Sequence, residues 1–426
     1  MSEVVAPTHN FTNLRELLQE KQNVFLTGGA GVGKTTLTRQ IIEHFESEGK
    51  KVAKLASTGM AATLIGGQTL HSFLDLGICD SQADLERRGK LEPKKKIKKI
   101  VHSIDLMVID EISMVSDALM DMIQLRLQQC EFKGSILLVG DFLQLPPVSR
   151  GNTSIAFAFE SAAWEYFKFQ TMTLTHNYRS SDDDFTAVLN AVRFGNVFEA
   201  EHYYLHQLIK PVGEDLSRYT YLYGKNISAQ QHNREQLAFI DSDEMEYETQ
   251  LVRHDKNVKD QEIERFHKDA RIDPRLKLKV GAPILFTRNA WNYHNGERGR
   301  VVRLTENILY VEKDDGVVVK LERVDVSKTL WKEKTVEGKK EFLEVPIFTL
   351  YQFPVALAFA ITIHKSQGMS IDDLIIDTTE IFAPSQFYVA LSRATSTHRL
   401  ILKQPNTNWV NLAFVHDKAK AFVLDN

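Results

Sequence analysis

The chain has 426 residues, of which 43% are hydrophobic and 25% charged, and its formal net charge is -4; this is the profile of a globular protein with ample core and room for about three domains. The charge gives no global attraction to a polyanion, so nucleic acid would have to be met by local basic patches. No apolar run reaches the roughly 18 residues of a membrane-spanning helix, the start MSEVVAPTHNF does not read as a signal peptide, and two cysteines, Cys79 and Cys130, are too few for a disulfide framework or a zinc site and fit a reducing, intracellular compartment.

The first strong element is strand, loop and helix. Val24, Phe25 and Leu26 predict a buried strand. Gly28, Gly29, Gly31 and Gly33 let the backbone turn tightly and approach a ligand. Residues 28–35 match G-x-x-x-x-G-K-[ST], the P-loop. In that motif the backbone N–H groups of Gly28, Gly29, Ala30, Gly31, Val32, Gly33 and the helix start at Lys34, Thr35 and Thr36 cradle a polyphosphate. The Lys34 ammonium meets the β- and γ-phosphates, and the Thr35 hydroxyl reaches Mg²⁺. A glycine turn that merely caps a helix is the plainer alternative, and the flanking strand and helix argue against it.

Residues 34–48 predict a helix with Leu37, Ile41, Ile42 and Phe45 on one face. A strand at 52–56 ends at Ser57-Thr58-Gly59, and a short helical piece at 61–65 closes at Gly66-Gly67. Residues 86–99 carry eight lysines and arginines from Arg87 to Lys99; they read either as a solvated face or as a phosphate-facing patch. A buried strand at 106–109 ends in Asp110-Glu111, a helix follows at 116–129, and a second buried strand at 136–139 leads to Gly140-Asp141 and Leu143-Gln144-Leu145-Pro146-Pro147. Polar residues at the C-terminal ends of alternating strands predict a parallel sheet with its site on that edge. The Asp of such a pair holds Mg²⁺ and the Glu orients and deprotonates water.

Residues 172–174 read as a strand that starts a second unit, followed by a helix at 182–194, a strand at 219–223 and a helix at 226–237. The polar stretch 241–273 reads as exposed or loop-rich. Short β runs between 279 and 345, separated by turns such as Asn295-Gly296 and Asp314-Asp315-Gly316, predict a small barrel. Pro354 sits where helices like to start. A strand at 374–376, a helix at 384–392 and a strand at 400–402 resume the alternating style. The fold class is therefore α/β, two such units with a β-rich piece inserted in the second.

Alone, Arg179 and Arg393 read as surface or ion-pair residues, and a lone Phe73 as core. The surrounding motifs change their weight. In order they are GGAGVGKT at Gly28, ASTGMAA at Ala56, GGQTLHSF at Gly66, VIDEISM at Val108, GDFLQLPPV at Gly140, LTHNYRS at Leu174, AITIHKSQGMS at Ala360 and QFYVALSRA at Gln386. This series resembles a superfamily 1 DNA helicase of the B subclass, the branch of RecD, Dda and the PIF helicases, and is most similar to the PIF type. The likeness covers residues 23–403.

The resemblance implies two RecA-like P-loop domains. The first spans 1–172 and carries a small wedge-type insertion between 62 and 99. The second spans 173–278 and is completed by 347–426, with a Src-homology-3-like β-barrel insert at 279–346. It implies that Gly33, Lys34 and Thr35 bind ATP and Mg²⁺, that Asp110 serves the metal and Glu111 the water, and that Gln144 senses the γ-phosphate. Arg179 and Arg393 would be arginine fingers, with Gln367 and Gly368 facing the nucleotide. Ser57, Thr58, His71, Ser72, Phe73, Asn289, Thr362, His364 and Lys365 would lie on the nucleic-acid side, and Trp291, Tyr293 and His294 read as a further aromatic cluster there or as packing.

The implied activity is ATP-dependent 5′→3′ movement on single-stranded DNA, with unwinding of forked duplexes, by a protein that is monomeric in solution and needs no membrane. Forks, G-quadruplexes and RNA–DNA hybrids stay open as preferred substrates. A nucleotide-switched DNA-binding or partner-recruiting module is the alternative, and a one-domain kinase or metabolic ATPase is a third. The family's adenine-reading Gln has only Gln19 and Gln22 as counterparts, and neither matches well.

Overall fold

The structure, a computed structural model, describes residues 8–77, 79–147, 155–180, 182–209, 218–270, 272–336, 339–403 and 408–426. The first lobe is built on β1 (Val24–Gly28), β2 (Val52–Ala56), β3 (Gln68–Thr69), β4 (Leu106–Asp110), β5 (Ser135–Val139) and β6 (Gln170–Leu174). They form one parallel sheet in the order β3-β2-β4-β5-β1-β6. Strands β1 and β5 are buried at every position, as strands covered on both faces must be. Helix Lys34–Ser47 presses Leu37, Ile41, Ile42 and Phe45 onto one face. The register pairs Leu26 with Val139 and Ala56 with Asp110. The phosphate loop, Ser57, Glu111 and Gly140 therefore leave the sheet along one edge, where open α/β sheets place their ligands.

The apolar run at 172–174 does not begin a second sheet. Strand β6 pairs with β1 from Val24↔Gln170 to Gly28↔Leu174 and so completes the first. Its side-chain pattern carries no record of its partner; the unpaired backbone of β1 decides the matter.

The second lobe opens with β7 (Thr220–Tyr223). An insert follows, made of β8 (Glu244–Glu248), β9 (Gln250–Arg253), β10 (Arg275–Lys279), β11 (Pro283–Phe286), β12 (Arg298–Leu304), β13 (Leu309–Lys313), β14 (Val318–Leu321), β15 (Val324–Val336), β16 (Lys339–Gln352) and β17 (Val355–Leu357). The lobe then resumes with β18 (Ala360–Thr362), β19 (Leu374–Asp377) and β20 (Leu400–Lys403), giving a parallel sheet of order β18-β7-β19-β20.

Within the insert, β14-β13-β12-β11-β17 is an antiparallel sheet around Ile284, Phe286, Val301, Leu309 and Val311. The pair β8–β10 packs onto the same core through Tyr247, Leu276 and Leu278. Strands β15 and β16 form a long hairpin that β9 extends. This hairpin reaches the first lobe, where Trp331 and Phe342 pack on its core and Gln68 Nε2 donates to Glu344 Oε1 at 3.1 Å.

Two expectations change here. Residues 241–273 hold β8, β9 and the helix Asp260–Asp269 rather than loop. Strand β9 is exposed at all four positions, so no alternation announces it. Pro354 starts no helix; it precedes the short strands β17 and β18, since a brief apolar run reads equally well as either element.

The helix Asp417–Asp425 returns to the first lobe. Phe422 stacks on Phe159 with centroids 4.2 Å apart and meets the edge of Phe142 at 5.3 Å. Among the described residues no helix is long and apolar enough to cross a membrane. Phe422→Ala should lower the unfolding free energy by about 2 kcal/mol, because the ring is only partly covered; urea unfolding measures it, and an unchanged midpoint would show that this helix adds nothing to the core.

Candidate nucleotide site between the two lobes

The phosphate loop is shaped by its glycines. Gly28, Gly31 and Gly33 have φ of 141°, 82° and 88°. A Cβ on Gly28 would lie 2.3 Å from the Leu174 carbonyl oxygen, and one on Gly31 2.6 Å from Asn177 Oδ1. Gly33 is the left-handed N-cap of helix Lys34–Ser47, and among the described residues no side chain caps it. The first-turn N–H groups are thereby directed at a ligand. Lys34 Nζ donates to the carbonyls of Gly28 (2.6 Å) and Gly29 (2.8 Å). Burial pulls its pKa down, against the pull of Asp141 and Glu111.

Asp110 ends β4, and Glu111 follows at φ 53°, ψ 49°, a left-handed conformation uncommon outside glycine. The Glu111 N–H donates to Asp110 Oδ1 at 2.9 Å. Burial raises the pKa of both; burial and then the Asp110 charge push Glu111 to about 7, while Lys34 and Arg393 oppose the rise. Gln144 is 9% exposed, and its backbone N–H donates to the Asp141 carbonyl at 2.9 Å.

The second lobe supplies the opposite wall. Arg179 Nη1 donates to the Ser392 carbonyl at 2.7 Å. Arg393 donates from Nε to Val389 O, from Nη1 to Ser366 O and Met369 O, and from Nη2 to Ser392 Oγ. Burial, and then the neighbouring Arg179, pull its pKa down to about 9. Gln367 is buried, and its Nε2 has no hydrogen-bond partner among the described residues. Residues 30–36, Asp110, Glu111 and Gln144 line one side of a single cleft, and Arg179, Gln367, Gly368 and Arg393 line the other. A glycine cradle at an uncapped helix start, a carboxylate pair and an orphaned amide fit a nucleoside triphosphate with a divalent cation at Thr35 and Asp110.

Four residues of this region, Arg193, Asp141, Tyr388 and Tyr178, carried no role in the sequence reading. Arg193 Nη2 and Nε donate to Asp141 Oδ1 (2.8 Å) and Oδ2 (3.0 Å), a two-pronged ion pair with both partners buried. Tyr388 hydroxyl accepts the Ala30 N–H at 2.7 Å; burial raises its pKa to about 12 and keeps it a neutral phenol. The Tyr178 N–H donates to the Gly31 carbonyl at 2.9 Å. Asp141 and Tyr388 lie inside recognisable motifs, whereas Arg193 sits at the end of an amphipathic helix with nothing to distinguish it.

The residues expected on the nucleic-acid side are more dispersed in role. Ser57 Oγ donates to the Glu111 carbonyl at 3.1 Å. Thr58 Oγ1 accepts the Ala61 N–H and caps helix Gly59–Leu64. Ser72 Oγ accepts from Lys328 Nζ at 3.5 Å, and burial lowers the pKa of His71. Phe73 is corrected: its ring is 4% exposed, lies in the first-lobe core and meets Trp331 edge-on at 6.5 Å. The apolar side of its one-turn helix is taken up by the core, so the ring offers no stacking platform.

Thr362 is buried and accepts the Lys365 N–H through Oγ1. His364 and Lys365 are half-buried. Asn289 is exposed, with its Oδ1 on the Asn295 N–H at 2.7 Å. The aromatic cluster divides: Tyr293 stacks on Phe286 at 4.4 Å, while Trp291 is 95% exposed. Gln22 bonds Gln170 before the N-terminal ends of β1 and β6, and Gln19 bonds Glu48 beyond the far end of the P-loop helix. Both stand at the edge of the sheet opposite the phosphate loop, so neither reads adenine there.

The family described as PIF1-like helicase matches residues 12–202. The ATP-dependent DNA helicase Pif1 of Campylobacter jejuni is 37% identical, over 95% of this chain and 93% of that protein. Bacteroides Pif1 in complex with ADP-AlF4 superposes with a TM-score of 0.85 at 28% identity, covering 99% of this chain and 97% of that one. The same protein bound to single-stranded DNA gives 0.66 at 29% identity, with the same coverage.

Asp141→Asn leaves the Arg193 cation buried beside a neutral amide and should cost about 3 kcal/mol of stability. The paired exchange Asp141→Leu with Arg193→Met should recover most of it. Chemical unfolding of the two variants beside wild type tests this; equal stability of wild type and Asp141→Asn would refute the pair's structural weight.

Proposed function

The chain belongs to the PIF1-like helicase family and is an ATP-dependent DNA helicase; from that premise we propose that it moves 5′→3′ along single-stranded DNA and opens forked duplexes, driven by hydrolysis between two RecA-like domains. The observation that carries the reading is the meeting of Lys34, Glu111, Arg179 and Arg393 in one cleft contributed by both lobes. Phosphoryl transfer needs positioning and cations at the γ-phosphate more than covalent chemistry.

In this reading the loop 28–33 and the start of helix Lys34–Ser47 hold the triphosphate. Lys34 exchanges the carbonyls of Gly28 and Gly29 for phosphate oxygens. Thr35 and Asp110 would hold Mg²⁺, which would supply charge neutralisation to the triphosphate. The Glu111 carboxylate orients the attacking water and takes its proton. Gln144 and Gln367 sense the γ-phosphate from the two walls. Arg179 and Arg393 stabilise the charge that develops there. Because these two cations belong to the second lobe, binding favours closure and product release favours opening, and a strand held across both lobes advances with the cycle.

We assign the first lobe to the residues up to the end of β6 at Leu174, two beyond the expected 172, joined by the helix Asp417–Asp425, and the second to the residues after it outside the insert. The insert extends beyond the expected 279–346, from β8 to β17, and within it the sheet β14-β13-β12-β11-β17 is read as a Src-homology-3-like barrel, supported by its antiparallel order and its own core. The wedge lies within 62–99, and the protein is a monomer in solution. The choice of substrate is supported by solved relatives described as Bacteroides Pif1 bound to single-stranded DNA and as two coordinating Pif1 helicases unwinding at forked duplex DNA. Strand contact is assigned to the segments around Ser57–Thr58, His71–Ser72, Asn289 and Thr362–Lys365.

Lys34→Ala should lower turnover stimulated by single-stranded DNA by about a hundredfold or more. The wild type should unwind duplexes with a 5′ tail and leave those with only a 3′ tail closed. Efficient opening from a 3′ tail, or unwinding by Lys34→Ala at the wild-type rate, would sink the reading.

A further inference from the structure

Strands β2 and β4 are parallel neighbours paired through Ala56 and Asp110. The next residue on each, Ser57 and Glu111, therefore leaves the sheet side by side. Glu111 holds a positive φ of 53° without being glycine, a conformation that persists only where the surroundings impose it. Here they do so at both ends of the residue. Its N–H is fixed by Asp110 Oδ1 at 2.9 Å. Its carbonyl accepts the Met114 N–H at 3.1 Å, and its second lone pair takes the Ser57 hydroxyl, also at 3.1 Å.

Ser57 is not an isolated prop. Thr58 follows it as the N-cap of helix Gly59–Leu64. That helix is closely faced at both ends. A Cβ on Gly59 would overlap Asp269 of the insert, at 2.2 Å from its Cβ, and Leu64 Cδ1 lies 3.6 Å from where Gly368 of the second lobe would carry one. The turn 57–58 thus lies between the hydrolytic edge of the first lobe and parts that belong to the insert and the second lobe.

We propose that Ser57 is a positioning residue for hydrolysis: its hydroxyl sets the backbone of Glu111, and single-stranded DNA engaging the 57–58 turn resets that backbone and so stimulates turnover. The proposal rests on the reading of Glu111 as the residue that orients water. It assigns Ser57 a role beyond strand contact, in which a single hydrogen bond between adjacent strand ends joins the nucleic-acid side to the nucleotide side. The Glu111 side chain need not touch DNA for its orientation to depend on it.

The experiment is steady-state ATPase activity of the full chain with an oligo-dT strand titrated to saturation, for wild type, Ser57→Ala, Ser57→Thr and Glu111→Gln. Ser57→Ala should lower kcat at saturating oligo-dT about tenfold, with the KM for ATP and the half-activating oligo-dT concentration within about twofold of wild type. Ser57→Thr keeps a hydroxyl and should restore kcat. If Ser57→Ala reaches wild-type kcat at saturation and only needs more oligo-dT, Ser57 is a strand contact alone and the proposal is overturned. It is equally overturned if Ser57→Ala matches wild type throughout. Glu111→Gln separates the two levels: its retention of full turnover would remove the Glu111 assignment, whereas its inactivity beside a fully active Ser57→Ala would remove the Ser57 proposal alone. Thermal unfolding of Ser57→Ala beside wild type guards against reading a folding defect as a catalytic one.

Discussion

The buried pair between Asp141 and Arg193 is the constraint on which the cleft depends. Asp141 leaves the sheet edge of the first lobe directly after β5, and Arg193 closes a helix of the second. Neither charge has water to retreat to, so each needs the other, and the two-pronged geometry fixes their mutual orientation as well as their distance. With that pivot in place, Tyr388 is brought against Ala30, and the Tyr178 backbone against Gly31. The phosphate loop is thereby held from the second lobe at two successive residues. Asp141 also stands among the charges that act on Lys34 and on Glu111. One carboxylate thus belongs both to the contact between the lobes and to the electrostatics of the site.

Bonds of this kind make the loop sensitive to where the second lobe sits. Any rotation of the helix Gln386–Leu391 moves the Tyr388 hydroxyl relative to the Ala30 N–H, and the same helix leads into Arg393. A group that contacts the loop and a cation that faces the carboxylates are therefore on one short rigid element. The arrangement favours concerted rather than sequential changes at the two walls, because close-packed elements shift between discrete positions instead of deforming gradually.

Much of this was legible in the residues, and for identifiable reasons. The phosphate loop reads directly because its glycines answer to local backbone demands, and positive φ at Gly31 and Gly33 is a property of the segment itself. Asp110 and Glu111 read because they end a fully apolar run. The insert reads as β-rich because its turns carry Asn-Gly and Asp-Gly signals. What did not read depends on partners far along the chain. Strand β6 has the pattern of any short strand, and only β1 reveals its sheet. Strand β9 buries nothing, so its identity resides in the backbone of β16. Arg193 looks like an ordinary helix end until Asp141 is beside it. Phe73 was placed on the nucleic-acid side by its motif, yet its ring fills the first-lobe core, as a lone Phe more simply reads. Ser57 was placed with the strand-facing residues, and its bond to the Glu111 carbonyl was invisible because it joins the ends of two neighbouring strands.

The helix Asp417–Asp425 has a consequence for how the molecule comes into being. Phe422 packs among Phe25, Phe142, Phe159 and Trp164, rings that belong to the first lobe. A ribosome releases those four long before it releases Phe422. The lobe that begins the polypeptide must then wait, with an aromatic face uncovered, while the second lobe and the insert are made. Its completion is tied to the arrival of the final helix, so the first lobe reaches full solidity only once the rest of the motor already exists. Such a dependence of early parts on late ones slows folding through its long-range contacts. It also ties the finished first lobe to the presence of the second.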